Sequence, residues 1–140
     1  MLNYQKILNR NMINILKDVL ITVKNKGLTN NNHIYITFLT KNTNVIIPKW
    51  LKDKYPQEMT IVIQYEYYDL EIKDEYFKIT LSFNDVKTKL KISYDSIISF
   101  ADPSANFGLK LKNTEEYKKI NKNENETKDN VINFSNFKKN

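Results

Sequence analysis

Apolar residues in the first stretch of the chain, Ile7, Leu8, Met12, Ile15, Leu16, Val19, Leu20 and Val23, recur at steps of three and four. That spacing predicts one helix from Tyr4 to Lys26 with a wide apolar stripe. Gly27 stands where a left-handed residue would end it. A small β domain seldom covers both sides of so wide a stripe, so part of it, centred on Ile15, Leu16 and Val19, is expected to pair with a second copy of the chain.

Beyond residue 28 the pattern changes to β-branched and aromatic runs broken by polar turns. HIYITFLT, residues 33–40, reads as a strand after the turn-rich residues 29–32. Val45 to Ile47 before Pro48 reads as an edge or a short strand. Trp50, Leu51 and Tyr55 are the apolar points of a short helical or turn segment that Pro56 ends. MTIVIQYEYYDLEIK and EYFKITLSF supply two or three strands, with residues 65 and 67 sharing one face and 64 and 68 the other. Asn84-Asp85 between FKITLSF and KTKLKIS has the spacing and residue types of a tight hairpin. Residues 95–100 give a short strand or turn, and FGLKL at 107–111 the last strand. One helix followed by six or seven strands points to a small antiparallel barrel or sandwich.

The pattern then fails. Residues 112–130 contain only Tyr117 and Ile120 as core candidates, too little apolar area to offset an ordering cost of roughly 1–2 kcal/mol per residue. This span reads as a flexible linker whose r.m.s. reach is roughly 25 Å. Beyond it, Val131, Ile132, Phe134 and Phe137, followed by Lys138 and Lys139, form an apolar island suited to docking in a partner's groove. The expected organisation is a helix over residues 1–27, a β domain over 28–111, a linker over 112–130 and a docking tail over 131–140.

Composition narrows the chemistry. The net charge of +6 is distributed as +4 over residues 1–26, −1 over 27–109 and +3 over 110–140, and implies no long single-sign strip. Arg10 is the only arginine among 22 cations, although arginine is the better reader of phosphate and guanine. A nucleic-acid partner is therefore not expected. The chain has no cysteine, which excludes disulfides, thiol nucleophiles and thiolate zinc sites. It also lacks an export signal or a membrane-length apolar run, and the cytosol is the expected compartment.

No catalytic constellation emerges either. His33 is the single histidine, and its expected role is structural rather than metal ligation. Glu66, Asp69, Glu71, Asp74 and Glu75 cluster near a hairpin, where exposed alternating charge explains them better than an acid and base pair. With two glycines in all there is no phosphate-cradling loop. The chain is expected to be a binding module without enzymatic activity or cofactor. Candidate peptide-binding residues are Gln64, Tyr65, Tyr67, Phe83 and Phe100. The Gln64 amide pairs a donor with an acceptor, as a peptide backbone requires.

YPQEMTIVIQYEYYDLEI at 55–72 and FADPSANFGL at 100–109, together with HIYITFLT, resemble the SspB family, specifically its alpha-proteobacterial branch, and the resemblance runs in order from Tyr4 to about Leu111. It implies an adaptor of the ClpXP protease: an Sm-like β barrel that dimerises through the N-terminal helix and holds the ssrA tag left by trans-translation. It also implies a tail that docks on the zinc-binding N-terminal domain of ClpX, and Val131, Ile132, Phe134, Phe137, Lys138 and Lys139 match that motif. Departures from the family pattern are Asn84 and Asp85 in place of hairpin glycines, Phe134 in place of leucine, and a short linker. The alternatives are a single-stranded RNA-binding Sm-like module and a dimeric scaffold whose tail recruits another partner.

Overall fold

A computed structural model describes residues 2–28 and 32–111 of the chain. The linker and tail expectations, including those at Val131, Ile132, Phe134, Phe137, Lys138 and Lys139, lie outside the described residues.

Helix α1 runs Tyr4–Lys26, as the periodicity predicts. The Asn3 side chain caps it by accepting the Lys6 amide, and Lys24 and Lys26 sit in the last turn, where the helix dipole favours cations. Gly27 ends the helix with its N–H donating to Val23 O at 2.8 Å. Its backbone is at φ 75° and ψ 180°, not left-handed helical as expected but in an extended positive-φ region open essentially only to glycine. The apolar stripe divides in two. Met12, Leu16, Leu20 and Val23 are buried, whereas Leu8 and Ile15 on its other edge are exposed.

Seven antiparallel strands follow: β1 Ile34–Leu39, β2 Glu58–Ile63, β3 Tyr67–Ile72, β4 Tyr76–Phe83, β5 Val86–Ser93, β6 Ile97–Asp102 and β7 Phe107–Lys110. They form a four-stranded sheet in the order β2-β1-β6-β7 and a three-stranded sheet in the order β3-β4-β5. The sandwich form of the expectation holds, but the sheets do not close into a barrel. The chain changes sheet through a bend at residues 64–66 and a single 3₁₀ turn at Tyr94–Ser96, and no strand runs continuously through both sheets. Helix α2, Lys49–Lys54, occupies the connection between β1 and β2. Ile46 makes only an isolated bridge to Lys91.

The alternation of each strand sets the core. In β2 the buried residues are Met59, Ile61 and Ile63, and Glu58, Thr60 and Val62 face outward. Buried residues from both sheets meet the buried edge of α1 in one cluster that includes Leu16, Phe38, Ile61, Phe77 and Ile92. The β4–β5 hairpin forms as expected. Phe83 pairs with Val86 around Asn84 and Asp85, at φ 53° and 67°, the two positive angles that a two-residue primed turn needs.

Tyr94 ties the second sheet crossing to the core. Its hydroxyl donates to Lys73 O at 3.0 Å, its ring lies 6.1 Å from that of Phe77, and Lys17 Nζ sits 4.8 Å above it. Burial, with a smaller contribution from the charge of Asp74, pushes its pKa up to about 12 from 10.0. A folded-state pKa above the unfolded one means that the neutral phenol contributes stability below about pH 10, lost as pH rises towards 12. Tyr94→Phe is expected to cost about 1 kcal/mol at pH 8 through the lost hydrogen bond. Between pH 10 and 12 the variant should lose stability less steeply than the parent. Parallel slopes in urea titrations across that range would disprove this role for Tyr94.

Candidate peptide-binding cleft

Where β2 ends, the bend at residues 64–66 carries the chain from one sheet to the other. The sheets part there, leaving a cleft of about 380 Å³ whose walls include Thr60, Val62, Gln64, Tyr65, Ser82 and Phe83. One wall is β2, an edge strand of its sheet, so one side of its backbone faces no neighbouring strand among the described residues. The opposite wall is the end of β4.

Gln64, Tyr65 and Phe83, three of the five residues expected from sequence, meet in this cleft. Tyr65 is 75% exposed. Tyr67 lies next to it, half-buried and paired across β3–β4 with Leu81, itself a wall residue. Phe100 does not reach the cleft. It faces inward from β6 opposite Ile36, is 2% exposed, and packs 6.3 Å from Phe107 as part of the core. The expected face-sharing of 65 with 67 and of 64 with 68 does not arise, because residues 64–66 bend and only Tyr67 and Tyr68 lie in β3.

Trp50 was not among the expected site residues. It projects from α2, 45% exposed, and its ring meets Phe83 edge-on at 6.4 Å and 78°, extending the apolar wall. The support beneath it is polar: buried Thr40 donates through its hydroxyl to Tyr55 O, and its amide donates to Gln57 O at 3.0 Å. These bonds anchor the α2 exit on the end of β1. The cleft therefore offers an amide and three hydroxyl side chains among aromatic and aliphatic surfaces beside an unpaired strand edge, an arrangement suited to an extended peptide.

One further concave region is structurally committed. A larger cleft of about 600 Å³ adjoins Asp95, whose carboxylate accepts from Asn42, Asn44 and Ser93 at 3.2, 3.3 and 2.6 Å and so locks the residue 42–44 turn to the sheet crossing. His33 stacks edge-on with Tyr35 at 5.2 Å. Among the described residues no three acids or histidines gather as a metal site. No described helix is long and apolar enough to cross a membrane. Of the residues expected at a dimer contact, Ile15 is 41% exposed, Val19 is half-buried, and Leu16 lies wholly inside its own core.

The family model for stringent starvation protein B matches residues 7–138 of the chain. No individual curated protein matches it.

Proposed function

The chain belongs to the SspB family, stringent starvation protein B, and from that premise we propose that it binds ssrA-tagged polypeptides and delivers them to the ClpXP protease. Family membership supports a protease-adaptor role in general. The observation that supports tag binding is the cleft in which Gln64, Tyr65 and Phe83 converge beside the free edge of β2. An extended tag would lie along that edge, its backbone paired by the Gln64 amide and its apolar side chains against Phe83 and Trp50. The docking tail, Val131 to Lys139, would hold the zinc-binding domain of ClpX. A homodimer would form through the exposed edge of α1 that carries Leu8 and Ile15, bringing two tails to one protease.

A fluorescent ssrA-type peptide titrated with the full chain tests the first step, with a scrambled peptide as control. Saturable binding of the true tag alone is expected, and no binding at tens of micromolar would reject the reading. Gln64→Ala should weaken binding by about 1–3 kcal/mol, roughly 5- to 150-fold, because it strands peptide groups that the amide satisfies. An unchanged Kd would remove Gln64 from the site. Trp50 is the only tryptophan in the chain, so its emission reports on the cleft wall without a label. Tag binding should shift that emission, and the scrambled peptide should not.

A further inference from the structure

The near-neutral charge of residues 27–109 conceals a local concentration. Lys78, Lys87, Lys89 and Lys91 gather on one face of the three-stranded sheet, a local cluster that the segment charge does not reveal. Strand alternation puts them there: Ile79, Leu81, Leu90 and Ile92 are buried on the other face. Lys78 sits directly opposite Lys91. The Lys91 and Lys87 ammonium groups each lie 4.3 Å over a ring, those of Tyr76 and Tyr68 respectively. None of the four lysines forms an ion pair among the described residues. A groove of about 350 Å³ runs along this face past Ile46, Lys78, Lys89 and Lys91, with Asp69 and Glu71 on its β3 side.

The backbone at the same place is open. Lys91 exchanges two hydrogen bonds with Ile46, at 2.9 and 3.0 Å, so its N–H and C=O point away from β4. Antiparallel alternation points the N–H and C=O of Lys89 and Lys87 the same way, and beyond the single Ile46 bridge β5 has no further strand on that side among the described residues. A lysine on an edge strand is often only a guard against unwanted pairing. Lys78 is on the central strand and guards no edge; it stands between Glu71 of β3 on one side and Lys91 of β5 on the other, so its charge is partly balanced from β3, while Lys87 and Lys89 face no acid across the β4–β5 pair.

We propose that the open edge of β5 binds an acidic polypeptide in extended conformation, which continues the antiparallel ladder that Ile46 begins. Carboxylates at alternate positions of such a peptide repeat with the same two-residue period as Lys87, Lys89 and Lys91. They would meet Lys87 and Lys89, the two positions beyond the Ile46 bridge, while the peptide backbone satisfies the outward groups of those residues. The unfilled backbone positions favour a polypeptide over a nucleic acid, which would use the charge and leave the ladder unpaired. This surface lies on a different strand from the β2 cleft, so it stands whether or not the tag binds there.

The test uses the full chain and a fluorescein-labelled octapeptide of alternating threonine and glutamate. Three comparison probes accompany it: the same composition with the four glutamates in one block, the alternating peptide N-methylated at alternate backbone nitrogens, and an eight-nucleotide oligouridylate. The alternating peptide should bind at least tenfold tighter than each of the others, and more weakly as salt rises. The Lys87→Gln/Lys89→Gln double variant, with an unchanged far-UV circular dichroism spectrum, should lose at least tenfold in affinity. Equal binding of the N-methylated or block peptide, tighter binding of the oligouridylate, an unaffected double variant, or no saturation at 100 micromolar would each overturn the proposal.

Discussion

Deleting Val131 to Asn140 is expected to leave the Kd for the tag peptide unchanged and to abolish the acceleration of tagged-substrate degradation by ClpXP. This is the result expected if the chain works by tethering, since the two activities then reside in separate segments. The cleft side chains and their supports, from Thr40 to Phe83, all lie within residues 32–111. Holding a tag near the unfoldase raises its effective concentration to about the millimolar scale for a short connection. The gain is visible as a lower apparent KM at limiting substrate. Removing the tail returns KM to the value without adaptor and leaves the maximal rate alone, because the protease is unaltered. A truncated chain that still lowers KM would exclude tethering. One that also loses tag binding would mean that the tail belongs to the tag site.

Avidity supplies an internal control on the same assay. Two tails on a dimer bind more tightly than one without any new contact. Mixed dimers carrying one full and one truncated chain should therefore stimulate degradation at an intermediate level.

The elements legible in the sequence were those governed by local rules. Helix α1 is set by three- and four-residue spacing, and its bounds follow from the pattern alone. The β4–β5 hairpin is set by Asn84-Asp85, two residues that tolerate positive φ. The bend at 64–66 was illegible for the converse reason. Residues 59–72 contain no glycine or proline to mark a break, and the bend arises because the run must serve two different sheets. The same ambiguity misplaced Phe100, since an aromatic residue in a strand suits a core or a binding face equally well and only the register of β6 against β1 decides. Trp50 needed the distant β4 to become part of a wall. Gln64 stood out because an amide following the apolar run from Met59 to Ile63 is poor core filler, and the fold places it on a cleft wall.

Adjacent residues on α1 separate folding from assembly. Leu16 is wholly buried among residues of both sheets, and Leu16→Ala should cost about 2–5 kcal/mol through lost burial and the cavity left behind. Against a total stability of about 5–15 kcal/mol for a domain, that loss would lower the thermal midpoint by ten degrees or more. Ile15, one position before it, points out of the core and is 41% exposed. Ile15→Lys removes no core contact and should change the intrinsic stability of a protomer by no more than about 0.5 kcal/mol. If the exposed edge of α1 joins two copies, the same change sets two charges against each other across the dyad, and the mass measured by light scattering halves. The parent should then melt at a temperature that rises with protein concentration, and Ile15→Lys should not, because only the parent is stabilised by association. A parent that is monomeric at tens of micromolar, or an Ile15→Lys variant that remains dimeric, would assign the exposed apolar edge to something other than self-association. Leu16→Ala cannot make this distinction, since it weakens the protomer whatever its oligomeric state.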